Sequence, residues 1–200
     1  DYSYALPENK SEPFKPTVTV APTPWNSSTK LVHIGIKGFD VAPAHKPHSN
    51  LVFLIDVSGS MNEPDKLPLV KSSLKMLLDT MNPDDTIGIV TYAGYAGVAL
   101  TPTKVADKQK IIAVIDQLGA GGGTAGGEGI RSAYELAQRH FDKKGVNRVI
   151  LATDGDFNVG ITDPNQLQKF IEEKRETGIS LSVLGFGQGN YNDALMQKLA

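Results

Sequence analysis

The chain has 200 residues, 40% of them apolar and 21% charged, the profile of a globular protein able to bury about 70% of its unfolded surface. Twenty basic residues against twenty-two acidic ones leave a net charge of −2 with no basic stripe, which excludes the usual footprint of a nucleic-acid binder. The absence of cysteine removes disulfides, thiolate zinc sites and thiol catalysis, and leaves the redox compartment open.

The first fifty residues are proline-rich and contain two runs of period-two alternation, Thr17 to Val20 and Lys30 to Lys37, each expected to form a half-buried strand. The lone Trp25 between them is expected to be a packing anchor between this leader and the main domain. The polar, proline-punctuated segment Ala42 to Asn50 reads as a linker. Residues 1–50 are therefore expected to form an N-terminal segment and 51–200 the main domain. A start on Asp1 suggests that something upstream was removed. The sequence has neither a charged-then-apolar leader nor eighteen consecutive apolar residues, so direct membrane insertion is not expected of it.

From Leu51 onward apolar strands alternate with amphipathic helices, the pattern of a doubly wound, Rossmann-like α/β fold with helices on both faces of a mostly parallel sheet. The first strand, Leu51 to Ile55, leads into Asp56-Val57-Ser58-Gly59-Ser60. A helix at about Lys66 to Met81 carries Leu67, Val70, Leu74, Leu77 and Leu78 on one stripe. Thr86 to Tyr92 follows as a strand, and the short connection Ala93 to Gly97 fits a hairpin into Val98-Ala99-Leu100, one antiparallel edge strand. Helices are expected at about 108–118 and 127–141, a strand at 148–153, a helix at 165–177 ended by Gly178, a strand at 179–185, and a helix beginning near Asn192. A fold of this class continues to another strand and helix, so the domain is expected to be cut before them.

Asp56, Ser58, Ser60, Thr124 and Asp154 each stand where a strand or a glycine-rich loop ends. In open α/β sheets such ends converge on a crevice where the strand order reverses, and hard oxygens gathered there suit a divalent cation. Asp56 to Ser60 taken alone would equally suit a turn and helix cap. The stretch Gly121-x-Gly123-x-x-Gly126 has the form of a dinucleotide fingerprint, but it follows a helix rather than the first strand, so nucleotide binding is not expected. Asp154 to Asn158 resembles the start of a calcium loop, yet Val159 occupies the glycine position and Asn165 the terminal glutamate position.

Together, Asp56-x-Ser58-x-Ser60, Thr124 after glycines and Thr153-Asp154-Gly155 resemble the metal-ion-dependent adhesion site of von Willebrand factor type A domains, and the resemblance covers about residues 51–200. It implies that Ser58 and Ser60 bind the metal directly, that Thr124 does so in the ligand-ready state, and that Asp56 and Asp154 act largely through water. It further implies Mg²⁺ as the ion, with Mn²⁺ or Ca²⁺ possible, and a protein partner presenting Asp or Glu. The leader is similar to the segment preceding this domain in bacterial cell-envelope members, which implies an extracytoplasmic, periplasmic or envelope location. The expected role is recognition rather than catalysis. A Mg²⁺-dependent phosphatase or hydrolase using Asp56 as nucleophile is the alternative, weakened because Ser58 stands where such enzymes carry a second acid. A third reading is a domain whose metal only ties loops together. Specificity is expected to lie in the loops around Tyr92 to Gly97 and Asp156 to Thr162.

Overall fold

The computed structural model describes residues 3–40, 47–121, 127–155, 164–187 and 196–197. The chain divides by compactness into two units, 1–46 and 47–200. The proposed helix near Asn192 and the loop 156–162 lie largely or wholly outside the described residues.

The first unit is an antiparallel ribbon, β1 (Phe14–Thr23) and β2 (Asn26–Gly38), joined by a two-residue turn at Pro24-Trp25. Both strands outrun the alternating segments because Thr23 closes the hairpin, its hydroxyl donating to the Asn26 carbonyl at 2.7 Å. Cross-strand pairing of Val18 with Ile34 and Val20 with Val32 puts the apolar residues on one side. On the other side Tyr4 lies against Gly35, where an added Cβ would come within 2.3 Å of its ring, and the Tyr4 hydroxyl meets His33 Nε2 at 2.9 Å. The expectation of half-buried strands fails here. Val18, Val20, Ile34 and Ile36 are 56–66% exposed, because alternation reports which side a residue takes and not whether anything covers that side. Trp25 sits at the hairpin turn and is exposed.

The second unit contains a five-stranded sheet in the order β5-β4-β3-β6-β7. Its strands are β3 (Ser49–Asp56), β4 (Thr86–Tyr92), β5 (Ala96–Lys104), β6 (Val146–Thr153) and β7 (Ile179–Gly185). All neighbours are parallel except β4 and β5, so the doubly wound fold with one antiparallel edge is present as the strand pattern implied. The chain builds outward from β3 through β4 to β5, then returns to the other side of β3 for β6 and β7. β3 is therefore the reversal point. The helices are α1 (Leu67–Leu78), α2 (Lys108–Gln117), α3 (Gly127–Arg139) and α4 (Pro164–Glu176).

α1 stops three residues short of Met81 because its last turn tightens: the Asp79 and Thr80 amides reach back only three residues, to the Met76 and Leu77 carbonyls. Past the end of α4 at Glu176 the chain turns at Gly178, whose φ of +90° is the left-handed conformation that favours glycine.

Side-chain parity sorts the core into two layers. Val52, Leu54, Val90, Val149, Leu151 and Leu181 pack with Ile130, Ala133 and Tyr134 of α3 and Leu167 and Ile171 of α4. The alternate residues Phe53, Ile55, Ile87, Ile89 and Ala152 pack with α1 and α2. The buried Tyr134 hydroxyl has no hydrogen-bond partner among the described residues, and burial raises its pKa well above the usual phenol value. An unsatisfied buried hydroxyl costs about 1–3 kcal/mol. Tyr134→Phe is thus expected to stabilise the protein by about 1 kcal/mol, read as a higher urea midpoint at unchanged slope; a lower midpoint would mean that the hydroxyl is satisfied.

Candidate metal centre

Continuing the parity of β3, Asp56 falls on the α3 side of the sheet, the side also taken by Tyr92 at the end of β4 and Thr153 at the end of β6. The three meet. Asp56 is fully buried; its Oδ2 accepts from the Tyr92 hydroxyl at 3.2 Å and from Thr153 Oγ1 at 3.3 Å, and its Oδ1 accepts from the Ser58 amide at 2.9 Å. Burial raises the Asp56 pKa, the hydrogen bonds from Ser58 and Tyr92 work against that rise, and the charge of Asp154 adds to it. Burial and the nearby Asp56 charge likewise push the Tyr92 phenol well above its ordinary value.

Beyond Asp56 the chain leaves the sheet through a single 3-10 turn, Gly59–Asn62, anchored by the buried Met61. Ser58 stands at the cap of this turn but makes no side-chain cap hydrogen bond, so the simple capping role does not account for it. Its hydroxyl lies 3.1 Å from the Ser60 hydroxyl. Adjacent ligands of an octahedral Mg²⁺ with bonds of about 2.1 Å are separated by about 3 Å, so the two oxygens already have the spacing of neighbouring ligands. Ser58 is buried and Ser60 exposed, an arrangement that gives a rim one inner and one outer hydroxyl.

Asp154 follows β6 and is 5% exposed. Lys66, ahead of α1, connects it to the serines: Nζ donates to Asp154 Oδ2 at 2.9 Å and to the Ser60 carbonyl at 3.0 Å. Asp56, Ser58, Ser60 and Asp154 thus belong to one hydrogen-bonded rim at the carboxyl ends of β3 and β6. Thr124 lies outside the described residues. The stretch leading toward it is tied to the same rim, since the Gly121 amide donates to the Val57 carbonyl at 2.8 Å. Among the described residues no group of three or more His, Asp or Glu is placed to hold a metal. The candidate donors are therefore two carboxylates and two hydroxyls, a hard-oxygen set of low charge suited to Mg²⁺ or Mn²⁺.

Two features differ from the expectation. Tyr92 is not part of an exposed specificity loop: it is fully buried and orients Asp56, whereas Tyr95, three residues on, is 83% exposed. Lys66 is not legible in the sequence as part of the rim, because nothing in local spacing relates it to a carboxylate 88 positions away. Beside the rim lies a groove of about 450 Å³, lined by Val57, Thr91, Tyr95, Gln117, Leu118 and Gly121 among others.

Comparison with known proteins agrees with this architecture. The family model of the von Willebrand factor type A domain matches residues 50–200. The uncharacterized protein YfbK of Escherichia coli (strain K12) is 45% identical over 196 residues, covering 98% of this chain and 34% of its own length, so the chain spans about a third of that relative. A von Willebrand factor type A structure from Catenulispora acidiphila superposes with a TM-score of 0.63 at 22% identity, covering 86% of this chain and 38% of that one. Proximal thread matrix protein 1 from the mussel byssus, solved with a zinc-occupied MIDAS motif, superposes with a TM-score of 0.60 at 26% identity, covering 78% of this chain and 39% of that one. The chain belongs to the von Willebrand factor type A domain family.

Proposed function

We propose that this chain is a metal-dependent protein-recognition module, with Ser58, Ser60 and Thr124 as direct ligands of a divalent cation and Asp56 and Asp154 holding it through water. The observation that carries this reading is the pair of hydroxyls 3.1 Å apart, with Ser58 making no side-chain cap hydrogen bond and two buried carboxylates, Asp56 and Asp154, beside them. When bound, the cation supplies an electrophilic position at which an acidic side chain of a partner completes the coordination sphere. Mg²⁺ is the proposed ion. The recognition domain corresponds to residues 51–200, with 1–50 as a separate leader. The zinc-occupied motif in the mussel protein supports a metal-binding role for the same family architecture.

The protein's own groups favour recognition over hydrolysis. A nucleophilic Asp56 would need an exposed oxygen, but it is fully buried and its oxygens accept from Ser58, Tyr92 and Thr153. The groove beside the rim gives a partner a surface to read next to the metal. An extracytoplasmic, bacterial envelope location is proposed from the leader's resemblance to envelope members. Among the described residues no helix is long and apolar enough to cross a membrane.

The test is calorimetric titration with Mg²⁺ and Mn²⁺, followed by retention of Asp- or Glu-bearing peptides with and without chelator. Ser58→Ala with Ser60→Ala is expected to weaken metal binding at least tenfold, about 1.4 kcal/mol, and to end peptide retention. Unaltered metal binding in the double variant would remove the proposed site. Metal binding that raises the melting temperature with no carboxylate ligand retained would instead assign the metal a loop-tying role.

A further inference from the structure

Lys66 occupies a built position. Its ammonium is held between the Ser60 carbonyl and Asp154 Oδ2, at 3.0 and 2.9 Å, with the lysine side chain 17% and that of Asp154 4% exposed. Its stem lies against Gly187, just past β7. A Cβ there would stand 2.6 Å from Lys66 Cε, 3.2 Å from Cγ and 3.3 Å from Cδ, and the Gly187 φ is +82°. Positive φ and close approach both call for glycine, so the path of the lysine across the strand ends depends on that residue.

We propose that Lys66 is an internal counter-cation of the metal site, neutralising Asp154 in the metal-free protein and competing with the divalent ion for the same rim. This rests on the recognition reading above. A lysine ammonium is a compact, strongly hydrated point charge on a flexible stem, well suited to hold a place that a dication later takes. A dication entering beside Ser60 and Asp154 meets a like charge at hydrogen-bond distance from one of its own carboxylates. Metal uptake therefore requires Lys66 to swing toward solvent, and the exchange is of one cation for another. The site's affinity is set below what its oxygens alone would give. In exchange, the ammonium offsets the charge of Asp154 in the metal-free form.

The test uses the full chain and three variants: Lys66→Met and Lys66→Gln, which remove the charge, and Lys66→Arg, which keeps it. Mg²⁺ and Mn²⁺ are titrated calorimetrically, and melting is followed in chelator. Both neutral variants are expected to bind metal at least tenfold tighter than wild type, to melt lower in chelator, and to gain more in melting temperature on metal addition; Lys66→Arg is expected to bind no tighter than wild type. If Lys66→Met does not fold, Lys66→Gln carries the comparison. Metal binding by the wild type that is no tighter in either neutral variant overturns the counter-cation alone. Binding in the neutral variants but not in the wild type supports it, with the lysine excluding the metal. No binding in any form overturns both this inference and the recognition reading.

Discussion

Asp56→Asn is expected to weaken Mg²⁺ binding about 10–100-fold while leaving the fold intact, and Asp56→Ala is expected to lose stability as well as metal. The difference follows from three donors. The Ser58 amide, the Tyr92 hydroxyl and Thr153 Oγ1 all point at this one fully buried carboxylate. Alanine leaves them without their acceptor where no solvent replaces it, a loss of about 2–5 kcal/mol after the two hydroxyls turn to other partners. Asparagine keeps the shape: its carbonyl accepts from Ser58, and its amide donates to a hydroxyl that can accept as readily as it donates. It removes only the charge. Since burial and Asp154 already disfavour that charge, the asparagine variant should melt in chelator no lower than wild type. Titration calorimetry and chelator melts separate the two effects, and undiminished Mg²⁺ affinity in Asp56→Asn would place the cation elsewhere.

Most of the sheet was readable because a buried parallel strand leaves a dense local signature. The limits Thr86–Tyr92 and Ile179–Gly185 match the apolar runs residue for residue, and the turn chemistry after Tyr92 pointed to the antiparallel edge. Parity adds more than runs alone: once Leu54 and Val90 are on the α3 side, Asp56 and Tyr92 must be there too. What sequence could not supply was the partner of each polar group. Tyr92 reads as a strand end at the edge of a specificity loop, yet the parallel register with Asp56 makes it the buried donor to that carboxylate. Lys66 reads only as the first residue of an amphipathic helix. Its ammonium reaches Asp154 only because β3 and β6 lie side by side, a fact of strand order rather than of spacing. The β1-β2 ribbon shows the converse error, in which a clean alternation described a surface left exposed.

Gly129 joins the packing of α3 to the candidate metal rim, and substituting it is expected to act on both. It lies in the first turn of α3, where a Cβ would stand 3.1 Å from Tyr92 Cβ and 3.2 Å from Leu54 Cδ1. The first of these is tethered to backbone and the second is fully buried, so neither neighbour yields easily. In Gly129→Ala the gain in helix propensity of about 1 kcal/mol offsets the crowding, and stability is expected to stay near wild type. Gly129→Leu has no such balance: overpacking should cost about 1–3 kcal/mol or more and drive the start of α3 away from β3 and β4. That displacement acts on Tyr92, whose hydroxyl holds Asp56 Oδ2. Gly88→Leu is the control, because a Cβ there would crowd Leu136 Cδ2 at 3.1 Å, four residues before Tyr92 and about 13 Å down the strand. Both leucine variants should melt lower. Only Gly129→Leu should also weaken Mg²⁺ binding when titrated well below its melting temperature, and equal weakening in both would mean that metal affinity follows global stability rather than the seating of α3 on Tyr92.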